Sequence, residues 1–174
     1  SSTSLHRLFR LMIRLLSDLP LLLVLVGISA LAMLVPAAHA LTLRDHRVAQ
    51  AFLYSALVLL VMVALVALAL VNRPRGNVMR DQLAGLVGCF AVLPVALALP
   101  VSESIRDTSF FSAWFEMVSC LTTTGASILA ERMSESLHLW RAIVGWLGGL
   151  FMLVAAAAIL EPLRLGGFET MGTD

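Results

Sequence analysis

The chain has 174 residues, 60% of them hydrophobic and 13% charged, whereas soluble globular domains run at about 45–50% apolar and about 25% charged. Its 12 basic residues are all arginine. Against 11 Asp and Glu they leave a net charge of +1, which excludes a strongly basic nucleic-acid binder and an acidic disordered tail. Two cysteines, Cys89 and Cys120, are too few for a disulfide framework or a zinc site, so the composition points to a polytopic membrane protein.

In chain order, the first feature is a helical stripe of Leu5, Leu8, Met12, Leu15, Leu16 and Leu19 opposite Arg7, Arg10, Arg14 and Asp18. Such a stripe fits a helix lying at the cytoplasmic headgroups, or equally a short extension of the first span. Leu19–Val35 then carries no charge. The arginines ahead of it and Ala38-His39-Ala40 behind it have the layout of a secretory signal peptide. The apolar run is longer than such a peptide uses, however, and a retained spanning helix is expected. Val48–Val71, Leu83–Val101 and Ala142–Leu160 are further uncharged runs. At 1.5 Å per residue, runs of about 17–24 residues reach about 25–36 Å and match the bilayer's hydrocarbon core. The fold expected is an all-α integral membrane protein with four transmembrane helices.

Asn72-Arg73-Pro74-Arg75-Gly76-Asn77 is a breaker-rich linker between two halves. Residues 1–72 form an amphipathic segment and a transmembrane hairpin, residues 80–169 a second unit, and residues 170–174 a tail. With the N-terminus cytoplasmic, seven arginines lie inside (7, 10, 14, 73, 75, 80, 164) and five outside (44, 47, 106, 132, 141). That bias predicts that both termini are cytoplasmic.

The connection between the third and fourth runs, residues 102–138, leaves and re-enters on one side but is not uniformly polar. Ser109–Leu121 is apolar and aromatic, and at about 20 Å it is too short to span. Phe111, Trp114, Phe115 and Val118 form one stripe; Ser109, Ser112, Ala113, Glu116, Ser119 and Cys120 form the other, with Asp107, Thr108 and Ser109 as capping candidates. The pattern predicts a re-entrant half-helix, followed by the extended, filter-like loop Leu121-Thr122-Thr123-Thr124-Gly125-Ala126-Ser127. The half-helix aims its negative dipole end at mid-membrane. Extended backbone beyond it offers carbonyl oxygens that replace a cation's water shell, and Gly125 tolerates the backbone angles this requires. An ordinary Thr-rich extracellular turn is the plainer alternative. An acid on a membrane-penetrating helix calls for a partner, and Glu116 is expected to accept hydrogen bonds from nearby backbone or hydroxyl groups and support the half-helix.

The stretch from Phe110 to Ser127 closely resembles the first pore loop of TrkH-type potassium uptake proteins, of the Trk/Ktr/HKT superfamily. Leu139-Trp140-Arg141-Ala142-Ile143-Val144-Gly145-Trp146-Leu147-Gly148-Gly149 resembles the start of the helix that follows it, and Ala158–Pro162 with Gly166–Glu169 resembles that helix's end. The resemblance covers Arg80 to about Glu169. Leu150-Phe151, where many relatives carry a further Gly, and Glu161 before Pro162 depart from the pattern. The resemblance implies four helix–pore loop–helix repeats around one potassium path, of which this chain carries one, with the carbonyls of Thr122, Thr123, Thr124 and Gly125 at the matching ion-filter positions. Three arrangements follow: a portion of a longer transporter, an assembly of four copies, or a non-conducting accessory subunit of a larger bacterial membrane complex. It further implies membrane lipid and other repeats as partners, a cytosolic nucleotide-binding regulatory protein, and location in the cytoplasmic (inner) membrane. Potassium would be bound only by a completed filter, and no other cofactor is expected.

The remaining residues carry plainer readings. Gly145 and Gly149, like Gly85 and Gly88, let helices approach closely, though chance spacing explains them equally well. His39, Asp45 and His46 share an outer loop without metal-site spacing, and no metal is expected. Trp140, Trp146 and Tyr54 suit interfacial anchoring or packing. No phosphate-binding Gly loop and no nucleophile with a base at motif spacing is present, so no enzyme activity is expected.

Overall fold

The computed structural model describes residues 21–70 and 78–165. The predicted amphipathic stretch before the first span, the linker and the tail lie outside the described residues. Within them the chain forms six α-helices, one 3-10 turn and no strand: α1 (Leu21–Ala32), α2 (Leu34–Thr42), α3 (His46–Leu70), α4 (Val78–Ser104), α5 (Phe110–Leu121), the turn Ala130–Arg132, and α6 (Glu135–Leu165). It is an all-α membrane protein.

The first apolar run is one span written as two helices. Pro36 has no N–H to donate to Ala32, so the hydrogen-bond ladder skips there. Met33 nevertheless keeps helical angles (φ −61°, ψ −20°), and its N–H reaches the Ser29 carbonyl at 3.0 Å. Leu22–Thr42, His46–Leu70 and Glu135–Ala157 are each long and apolar enough to cross a bilayer. The third predicted span falls within α4, 27 residues long with Pro94 and Pro100 inside it.

The hairpin turn between α2 and α3 closes tightly. Arg44 adopts a left-handed φ of 58°, its N–H bonds the Leu41 carbonyl at 3.1 Å, and the Asp45 N–H bonds that of Ala40 at 2.9 Å. This is a Schellman ending, whose left-handed position usually falls to glycine. Asp45 then accepts from the Val48 N–H at 3.3 Å and starts α3. Replacing Arg44, an exposed residue, with glycine should therefore stabilise the chain by about 1 kcal/mol, read as a raised melting temperature in detergent.

Trp140 of α6 holds the halves together. It is fully buried, meets Phe52 of α3 edge-on at 5.6 Å between ring centroids, and donates from Nε1 to the Leu97 carbonyl of α4 at 3.3 Å. It is thus a packing residue, whereas Trp146 and Tyr54 are largely exposed. At one end of the bundle, His39 Nδ1 of α2 is hydrogen-bonded to Ser136 Oγ of α6 at 2.9 Å. Where the sequence departs from the TrkH pattern, Leu150 faces outward and Phe151 packs on Phe90 with centroids 4.9 Å apart.

Candidate functional site

The half-helix α5 starts where the capping residues place it. Ser109 is extended (φ −71°, ψ 145°), and its hydroxyl accepts from the Ser112 N–H at 3.2 Å. At 12 residues it is about 18 Å long. Its small and polar face, Ala113, Glu116, Ser119 and Cys120, is buried against the bundle, while Phe111 points outward. Small side chains let α5 lie close to α4 and α6, while Trp114 packs partly on the core and Phe111 is left outward.

The far end of α5 is fixed against α6. Gly148 sits so near the end of the half-helix that a Cβ there would overlap the Leu121 carbonyl oxygen and lie 2.8 Å from its carbonyl carbon. Gly148 is about 20 Å along α6 from Glu135, roughly the middle of the span Glu135–Ala157. The half-helix therefore enters beside one end of α6 and terminates halfway along it, which is the geometry of a re-entrant segment.

The chain then turns back. The sequence predicts an extended run from Thr122 onward; the structure places Thr122 and Thr123 in the terminal turn of α5 instead. Thr123 has φ 58°, its N–H bonds the Cys120 carbonyl at 3.1 Å, and the Thr124 N–H bonds that of Ser119 at 2.9 Å. The cause is the helix end itself, whose last carbonyls lack intrahelical partners and are satisfied by this second Schellman turn. A β-branched residue at positive φ is a strained position of the kind that collects at functional sites. The hydroxyls of Thr122 and Thr124 are 2.8 Å apart, and Thr122 Oγ1 donates to the Val118 carbonyl at 2.8 Å. Irregular backbone begins only at Thr124, with Gly125 at φ 77° and the Ala126 carbonyl accepting from Ser119 Oγ at 2.6 Å.

Glu116 lies behind this loop, fully buried. Its Oε1 accepts from Ser127 Oγ at 2.7 Å, and its Oε2 from the N–H groups of Ile128 (3.0 Å) and Leu129 (3.3 Å). Arg141 of α6 brings its Nε within 2.9 Å of Oε1. That N–H is not aligned for a hydrogen bond, so the contact is a charge pair. Glu116 thus ties together the half-helix, the returning chain and the next helix. The sequence alone gives Arg141 no role beside Glu116, because the two lie on different helices and their pairing depends on the path of the chain between them.

Thr123 and Gly125 line one side of an open depression whose other side is Arg141, His138 and Gly145. Among the described residues, no group of three or more His, Cys, Asp or Glu is placed to hold a metal ion.

A half-helix and return loop held between two long helices define a re-entrant unit of a helical membrane protein. The chain is similar to known proteins over about half its length. Over 90 residues, or 51% of its length, the chain is 41% identical to the Trk system potassium uptake protein TrkI of Halomonas elongata. It is 35% identical over 91 residues to TrkH of the same organism, and 33% identical over 86 residues to TrkH of Escherichia coli K12. Over about half its length, then, the chain is a relative of TrkH-type potassium uptake proteins. The match spans only 17–18% of those three relatives. No family model and no solved structure matches the chain.

Proposed function

We propose that this chain contributes one helix–pore loop–helix sector to a potassium uptake pathway in the cytoplasmic membrane, with residues 102–138 entering from the outer side and both chain ends inside. Carbonyl oxygens of Thr122, Thr123, Thr124 and Gly125 face the ion, and Glu116 supports the loop from behind. One observation carries this reading: α5 ends beside Gly148, halfway along α6, so the Thr-Gly loop and the negative end of the helix dipole sit at mid-span. The 41% identity to a potassium uptake protein supports the choice of ion.

A single loop surrounds a cation on one side only, so the remaining ligands come from other sectors, covalently linked or separate. The exposed backbone at residues 123–128 and the depression beside it leave room for them. Lipid covers the outward apolar faces of α3 and α6, and a cytosolic nucleotide-binding protein is the regulatory partner that the TrkH likeness implies.

The test combines ion-dependent melting with native mass. Potassium or rubidium should raise the melting temperature of the assembled protein more than sodium does, and Gly125→Ser should erase that difference. A side chain is strained there because φ is 77°. Equal melting in all three ions, in an assembly whose mass shows four loops present, would instead favour a non-conducting accessory role.

A further inference from the structure

The geometry points to Arg141 as a positioning residue: through Glu116 it sets where the return loop lies, and thereby which cation the loop accepts. The second half of this inference rests on the transport reading above; the first half does not.

Four groups converge on the Glu116 carboxylate. Three of them, Ser127 Oγ and the amides of Ile128 and Leu129, belong to the chain leaving the loop. The fourth, Arg141 Nε at 2.9 Å, is from α6 and is the one charged contact to Glu116 among the described residues. A buried carboxylate without a countercharge is costly and draws in water. Water bound there competes with the two amides and the hydroxyl for the carboxylate oxygens. Arg141 therefore keeps the Glu116 oxygens in place for residues 127–129.

Position along the helix matters as well. Arg141 is about 9 Å from the Glu135 end of α6, and Gly148, which fixes the end of α5, is about 10 Å further on. One helix thus holds the loop at two levels: the descending half-helix at its tip by backbone contact, and the returning chain by charge. Residues 122–127 are suspended between these two points. A shift of the upper point moves the carbonyls of Thr124 and Gly125, and ion selectivity depends on the placement of such oxygens.

Hydrogen exchange at the Ile128 and Leu129 amides, in the full chain in nanodiscs, tests the clamp without any ion. Arg141→Gln should lower protection of both by about tenfold or more, as expected for weakened bonds to a charged acceptor. Protection within about twofold of wild type would overturn the proposal. If Arg141→Gln does not fold, Glu116→Gln is compared with Glu116→Gln/Arg141→Gln. A residue that acts through Glu116 has nothing further to lose in that background, and a further drop in protection would overturn the proposal.

The selectivity half is read from the ratio of potassium to sodium midpoints in ion-dependent melting. Arg141→Gln should reduce that ratio, and Arg141→Lys, which keeps the charge, should restore most of it. An unchanged ratio alongside lost protection would confine Arg141 to holding the loop and overturn the selectivity half. A wild-type protein with no ion preference would defeat the transport reading, while the exchange result would still decide the clamp.

Discussion

Gly148→Ala is expected to lower the melting temperature by about 6–12 °C and to reduce the yield of folded protein. The added methyl would overlap the Leu121 carbonyl oxygen and lie 2.8 Å from its carbonyl carbon and 2.9 Å from its Cα. All three are backbone atoms at the end of a helix, so no side-chain rotation relieves the overlap. Overpacking of a well-packed interior costs about 1–3 kcal/mol, and this case belongs at the upper end. For a chain of this length each kcal/mol corresponds to about 2–4 °C. The controls lie alongside. A Cβ at Gly145 would come no closer than 3.8 Å to the Cys120 carbonyl, and one at Gly149 no closer than 3.9 Å to Thr123 Cγ2. Gly145→Ala and Gly149→Ala should therefore melt close to wild type. Equal losses at all three positions would show that helix packing in general, and not the seat of the half-helix, governs this region.

Glu116→Ala should be the most damaging single change at the loop, costing about 3–5 kcal/mol, the usual penalty for removing one partner of a buried charge pair. It strands two backbone N–H groups, one hydroxyl and a guanidinium that all converge on the carboxylate. Glu116→Gln keeps one acceptor oxygen and should lose less. Melting in detergent gives the size of the loss, and limited proteolysis locates it: new cleavage should fall in residues 124–134, outside the α-helices. A Glu116→Ala protein that melts within a degree or two of wild type would remove Glu116 from any supporting role.

Much of this architecture is legible before any coordinates. The uncharged runs are set by bilayer thickness, and they fall in α1–α2, α3, α4 and α6. The half-helix is legible because Ser109 is a strong cap and Leu121 is followed by residues that end helices. What the sequence conceals is how pieces distant along the chain meet. Gly145 and Gly149 attract attention through their regular spacing, yet Gly148 makes the backbone contact, and a helix's rotation about its own axis is not written in its composition. Arg141 is likewise invisible as Glu116's partner, because the pairing depends on the return path of the loop. The turn at Thr122–Thr123 was hidden for a different reason. Threonine is a poor choice for a left-handed residue, and local preference argued for extended chain where the helix's unpaired carbonyls demanded a cap.

Nearly every hydrogen bond that shapes residues 116–129 begins and ends within those same residues. Closing so short a stretch costs little entropy, and its closure does not wait for distant parts of the chain. During synthesis, the bend after the half-helix therefore begins to form before Arg141 leaves the ribosome. The later helix then docks onto that bend and fixes its final position.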